Sequence, residues 1–313
     1  MKESILFRMS HIYRDDFRVR AFTFGQGEKA LCIVGSVRGN EYQQLYICCR
    51  ILRRLKRLEA EGRFAEDRQV LVIPSANPAS MNIGKRFWPI DNTDVNRMFP
   101  GYALGETTQQ IAAAVFEVVN KYRVGVQFTS FYTPGEFQPH VQMMRTGYEN
   151  PEKARDFGLP YIVMREPRPY DTTTLNYNWQ IWETDAYSVY SGTTTRVSEE
   201  GAELAADAVE RFMVLNGILK GTPSRAAPSR IFRYDDLLKV CTTQAGFFRD
   251  LVKNDERVSA GQALAEIIDP CAGDVLETLR SPADGVVFFR YNDPLIYAHT
   301  AACKILRDPQ QRF

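Results

Sequence analysis

"NPASMNIGKRFWPIDNTDVNRMFPG", residues 77 to 101, decides how this chain is read. The run before it, "QVLVIPS" (69 to 75), is short and apolar, the composition of a buried strand. An irregular stretch then extends from Ala76 to Gly105, and loops of that length inside a compact domain usually carry function. Arg86 and Arg97 in it are fixed cations whose planar forks suit a carboxylate, and Asn96 can supply an amide alongside. The structural alternative is that Asn96 and Arg97 only tie the loop down, with Asp91 and Asp94 near enough to pair with either arginine.

Outward from the loop, the pattern alternates strand and helix. Residues 17 to 37 read as two strands around "FGQGEK", and residues 41 to 61 place Leu45, Cys48, Ile51, Leu52, Leu55 and Leu58 at helical spacing. After the loop come a helix ("ETTQQIAAAVFEVVNKY") and the strands "VGVQFTSF", "QPHVQMMR", "YIVMRE" and "AYSVYSG". A helix, "SEEGAELAADAVERFMVLNGIL", follows with Ser198 as its N-cap. Such alternation predicts an α/β sheet covered on both faces. "DTTTLNYNWQIWETDAY" (171 to 187) is aromatic enough to serve either as pocket wall or as core.

"KGTPSRAAPSR" (220 to 230) has the small, Pro-rich composition of a linker, which divides the chain into residues 1–220, a linker at 221–230 and a small all-β domain at 231–313. In that last part "VSAGQALAEI" and "SPADGVVF" resemble the two halves of a barrel-sandwich hybrid of the lipoyl or biotinyl type. No lysine stands in the hairpin between them, so the module is read as structural.

With 313 residues, 44% hydrophobic and 25% charged, the chain has ordinary globular composition. Its 39 basic and 38 acidic residues leave no global field to gather nucleic acid or an anionic membrane, so any anion binding is local. The N-terminal segment is broken by charge every few residues, and no apolar run is long enough to span a bilayer; a soluble cytoplasmic protein is expected. The six cysteines lack paired metal spacing and read as reduced, mostly buried thiols.

A second stretch bears on chemistry. "VGSVRGNEYQQ" (34 to 44) runs from an apolar strand through a Gly-containing turn into a helix, where strand-to-helix folds place ligands. A metal-binding version of it would carry His where Arg38 stands. Together with the order Asn-Pro, Arg86 and "DxxDxNRxFPG", "GSVRGNEY" closely resembles the succinylglutamate desuccinylase/aspartoacylase family, zinc-dependent deacylases with a carboxypeptidase-type α/β fold. The resemblance runs through nearly the whole chain and implies a mixed sheet flanked by helices, followed by a β module.

It also implies roles. In the family the Asn-Arg pair, here Asn96 and Arg97, grips the amino-acid part of the substrate. Zinc is held by the His and Glu of His-x-x-Glu and by a second His at the end of an Asp-Leu-His-Thr strand, and a later Glu is the general base. Carried over position by position, the first His is Arg38, the Glu survives as Glu41, the second His is Thr129, and the base falls near Tyr190. The physics of a zinc-bound water needs these groups together.

The residues therefore point to a degenerate deacylase without a cofactor, keeping a cationic cleft of Arg38, Arg86 and Arg97 for an N-acyl amino acid or similar carboxylate. On this reading Arg38 pairs with Glu41 and replaces the ion with a fixed charge. The chain would act alone, as a homo-oligomer, or in a hetero-oligomer with an active relative. The alternative is an active hydrolase with an atypical zinc site using Glu41 and His140. His11 reads as surface and His299 as structural in the β module. A metal-free route through Ser130 or Tyr190, with Arg38 as electrophile, lacks any activating His or carboxylate in the sequence.

Overall fold

The computed structural model describes residues 1–308. The first part of the chain forms β1 (Lys2–Met9), β2 (Phe17–Gly25), β3 (Glu28–Ser36), α1 (Tyr42–Ala60), β4 (Arg68–Ser75), α2 (Pro78–Met81), α3 (Thr107–Val119), β5 (Val124–Phe128), β6 (Glu136–Met144), α4 (Pro151–Ala154), β7 (Tyr161–Arg165), α5 (Leu175–Ile181), β8 (Asp185–Gly192) and α6 (Glu199–Leu215). These strands build a mixed sheet in the order β1-β2-β4-β3-β5-β8-β6. Its centre is parallel, from β4 through β3 and β5 to β8, while β1, β2 and β6 join antiparallel.

Period-2 alternation explains the two-sided core. On β3, Leu31 and Ile33 face α1 and α6, where Ile47, Ile51, Leu55, Val209 and Phe212 complete one cluster. Cys32 and Val34 face the other way, against Ile111 and Val115 of α3 and Leu175 and Trp179 of α5. The outer sides of α1 and α6 are tied by Arg54, which reaches Glu203, Asp207 and Glu210. Ser198 caps α6 as expected, its Oγ accepting from the Gly201 amide at 3.0 Å.

The C-terminal part adds β9 (Arg230–Arg233), β10 (Leu237–Cys241), β11 (Gly246–Asp250), β12 (Arg257–Val258), β13 (Ala263–Ile268), β14 (Val275–Arg280), β15 (Gly285–Arg290), β16 (Leu295–Ile296) and β17 (Ala301–Arg307). It contains no α-helix among the described residues and includes a separate four-stranded antiparallel sheet, β14-β13-β11-β16. The two parts share hydrogen bonds: β15 continues the main sheet beyond β6, with Phe289 opposite Phe137, and β9 pairs with β7. That junction positions the cleft, because it brings β10 and β17 to its wall.

One expectation, that of the cysteines, needs correction, and two other segments gain detail that the sequence left open. β1 was not foreseen, since its residues alternate around charges and form an exposed edge strand. Residues 171 to 187 contain α5, which places Leu175 and Trp179 in the core while Asp171, Thr174 and Asn176 line the cleft. The cysteines are not mostly buried: Cys32, Cys48 and Cys303 are, whereas Cys49, Cys241 and Cys271 are exposed.

Candidate functional site

The turn between β3 and α1 is built to hold one carboxylate. Glu41 Oε2 accepts from the backbone amides of Val37 and Arg38 at 2.8 and 3.0 Å, and Oε1 accepts from Ser130 Oγ at 2.6 Å. Arg38 reaches Glu41 Oε1 through Nη1 at 3.3 Å, the pairing expected of it. Its shorter contacts are elsewhere: Nε lies 3.0 Å from both oxygens of Asp94, and Nη2 donates to Oδ2 at 2.9 Å. Both ends are buried, Arg38 at 5% exposure and Glu41 at 1%. Burial alone would lower the guanidinium's pKa, but Asp94 and then Glu41 outweigh it, and the group stays raised and charged.

Gly39 makes this possible. A Cβ on it would stand 2.3 Å from the Lys85 carbonyl and from Ser80, so only glycine lets the 80–86 segment lie on the turn. The Gly39 amide donates to the Arg86 carbonyl at 3.1 Å, which seats Arg86 beside Arg38.

The expected partner of Arg86 or Arg97 is thereby redirected. Asp94 belongs to Arg38, and Asp91 accepts from the Thr93 amide. Arg86 has no ion pair among the described residues, and its buried Nε has no hydrogen-bond partner. Its guanidinium sits 5.4 Å from the Tyr132 ring centroid and 5.9 Å from that of Phe87. Burial, with Arg38 adding to it, lowers Arg86 to about 10. Arg97 is steered by Asp171 at 3.6 Å and by the Tyr170 carbonyl and ring. Asp171 also holds Arg165 at 2.7 Å. Asn96 is buried and accepts from the Leu175 amide at 3.4 Å, so it anchors α5 as well as facing the cavity.

All of these arginines open on one cavity of about 490 Å³. Its lining is strongly basic: Arg38, Arg86, Arg97, Arg165, Arg168, Lys239 and Lys304, with Asp171 as the acidic member. Thr129 and Tyr190, the positions assigned to a second His and a general base, also line it. Burial pushes the Tyr190 phenol up, and Arg165 and Thr129 act against that.

His140 does approach the cleft, but its Nδ1 lies 2.7 Å from the Gln138 carbonyl, so that nitrogen carries the proton. The ring stacks on Tyr190 with centroids 4.6 Å apart, and burial lowers it to about 4. Among the described residues no three His, Cys, Asp or Glu side chains are grouped closely enough to hold a metal.

Sequence reasoning missed the contribution of the C-terminal part. Lys304 of β17, Tyr234 before β10, and His299 all reach this cavity, and His299 is exposed there rather than structural. Ser130 also has the carboxylate neighbour that the sequence did not offer, although Glu41 is already engaged by three other donors and is a poor base for it. None of these contacts is local in sequence, so no spacing signals them.

Comparison with known proteins agrees with the fold. The family model described as "Succinylglutamate desuccinylase/Aspartoacylase catalytic domain" matches residues 27–128. The chain is 23% identical over 281 residues to an N-alpha-acetyl-L-2,4-diaminobutyric acid deacetylase of Halomonas elongata, covering 85% of this chain and 78% of that one. Among solved structures, a succinylglutamate desuccinylase from Silicibacter sp. TM1040 superposes with a TM-score of 0.82 at 17% identity, covering 97% of this chain and 94% of its own. The product-bound ectoine utilization protein EutE of Ruegeria pomeroyi gives 0.80 at 18% identity, with the same coverage of 97% and 94%.

Proposed function

We propose that this chain, which belongs to the succinylglutamate desuccinylase/aspartoacylase family, binds an N-acyl amino acid or a similar carboxylate in its cleft and does not hydrolyse it. The observation that carries the reading is the Arg38 guanidinium lodged between Glu41 and Asp94. By the motif order it takes the position of the family's first zinc-ligating imidazole, and it cannot give up its proton to coordinate an ion.

The donor set does not suit zinc. Glu41 has its oxygens taken by two amides, a hydroxyl and a guanidinium, and Thr129 offers no imidazole. A divalent ion placed about 4 Å from the Arg38 charge would be repelled by roughly 8 kcal/mol at an effective dielectric near 20. Arg38 supplies a positive charge in the same region without an ion, so the cleft stays cationic while the metal-bound nucleophile is absent. Arg86, Asn96 and Arg97 offer what a carboxylate needs: a guanidinium with no ion pair among the described residues, an amide and a second guanidinium fixed by Asp171.

The reading is tested with N-acetyl-L-glutamate and N-acetyl-L-aspartate on zinc-supplemented protein. Saturable binding with no release of the free amino acid is expected. Turnover that disappears on adding a chelator would overturn it. A partnership with an active relative in a mixed oligomer is compatible with the same cleft.

A further inference from the structure

Lys304 stands opposite Lys239 in the pairing of β17 with β10, and both amines line the cavity. Their surroundings differ. Lys239 is exposed, whereas Lys304 is 1% exposed. The Lys304 Nζ lies 2.5 Å from Tyr234 Oη and between 4.1 and 5.1 Å from the ring centroids of Phe131, Phe137, Tyr234 and Phe289. Like Arg168 and Lys239, it has no carboxylate partner among the described residues.

That setting disfavours the proton. A lysine taken out of water beside other cations is held as the free amine, and the free amine is the form that attacks a carbonyl. Burial, with Lys239 and Arg168 adding to it and Cys241 opposing, lowers Lys304 to about 7. At about pH 8 most of it is therefore neutral. Carboxylate binding by the arginines across the cavity makes no use of such a group.

We propose that Lys304 captures an oxo acid covalently: its Nζ condenses with the ligand's keto or aldehyde carbonyl to an imine, while the cleft arginines hold the carboxylate. This rests on the carboxylate-binding reading of the cleft and adds a reaction to it. Nζ adds its electron pair to the carbonyl carbon, and the π pair of the C–O bond moves to oxygen, which takes a proton. The carbinolamine then loses that oxygen, and both amine hydrogens leave with it as water. Nothing is oxidised or reduced, and water reverses the step. Tyr234 is pushed up to about 12 by burial, so it keeps its phenolic proton. Its hydroxyl, within hydrogen-bonding distance of Nζ, relays protons between nitrogen and oxygen.

The full chain is incubated at about pH 8 with sodium cyanoborohydride and either pyruvate, 2-oxoglutarate or methyl pyruvate, which has the carbonyl of pyruvate without its charge. The reduced adduct is weighed on the intact protein and located by peptide mapping. Saturable labelling of Lys304 alone is expected with both acids, and labelling at least about tenfold slower with the ester. Lys304→Met and Lys304→Arg should give no adduct. The second keeps a fixed charge without a nucleophilic amine, and it should still bind N-acetyl-L-glutamate, which shows the cleft intact. Tyr234→Phe should form the adduct at least about tenfold more slowly.

Labelling spread over exposed lysines, or placed on Lys239, overturns the proposal. So does labelling by methyl pyruvate at the rate of pyruvate, and an unchanged rate in Tyr234→Phe overturns the relay. A wild-type chain that binds N-acetyl-L-glutamate but takes no label from either acid overturns the imine and leaves the parent reading standing. If N-acetyl-L-glutamate does not bind either, the parent reading of the cleft fails as well.

Discussion

Arg38 and Asp94 stand 56 residues apart in sequence, yet the guanidinium of one donates to both carboxylate oxygens of the other at 2.9 to 3.0 Å. This contact, with Glu41 behind it, closes the turn between β3 and α1 as an ion triad. Breaking such a buried pair is more costly than replacing it, because the surviving charges are left unpaired.

Arg38→Ala is therefore expected to destabilise the fold by roughly 3–5 kcal/mol. Urea unfolding of the variant against the wild-type chain measures it. A change within about 0.5 kcal/mol, the range of an ordinary surface substitution, would mean that the triad contributes little.

Arg86→Met should behave oppositely. Removing a partly buried cation that has no ion pair among the described residues leaves no carboxylate stranded, so stability should be unchanged within about 1 kcal/mol or improve. Binding of N-acetyl-L-glutamate should fall at least tenfold. Paired thermal melts and calorimetry separate the two effects.

The double variant Arg38→His with Thr129→His should acquire metal. With imidazoles at both positions and Glu41 released from the guanidinium, three ligands converge with an open fourth position. Each single variant should remain metal-free. Elemental analysis after zinc loading and desalting decides this, and a double variant that stays empty would show that positions 38 and 129 do not face a common centre.

His140 predicts a pH dependence. Burial lowers it to about 4 from an ordinary value of 6.5, so it is neutral in both folded and unfolded chains above that ordinary value and adds no pH dependence there. As pH falls from about 6.5 to about 4 the unfolded chain takes up the proton first, and stability drops by roughly 3 kcal/mol in total from this group. His140→Gln should flatten that part of the stability profile, as read from denaturant midpoints across the range.

What the sequence made legible was local or periodic. The amphipathic α1, the capped α6 and the parallel core follow from apolar spacing, and the motif order around Arg86, Asn96 and Arg97 marks the cleft loop. The partners of those residues were not legible. Asp94 was within reach of two other arginines in sequence, and only the close approach at Gly39 assigns it to Arg38. Asp171 and Arg165 meet through a turn before α5, and Lys304 enters through strand pairing between β6 and β15 that no periodicity announces.

The central claim is that the guanidinium of Arg38 has replaced the metal. The most direct measurement is the metal content of the purified full chain by elemental analysis, first without added zinc, then after zinc is supplied and the excess removed. Metal-free protein in both preparations is the predicted result. Retention of about one zinc per chain would contradict it, and would require ligands that the Arg38, Glu41 and Asp94 triad leaves no room for.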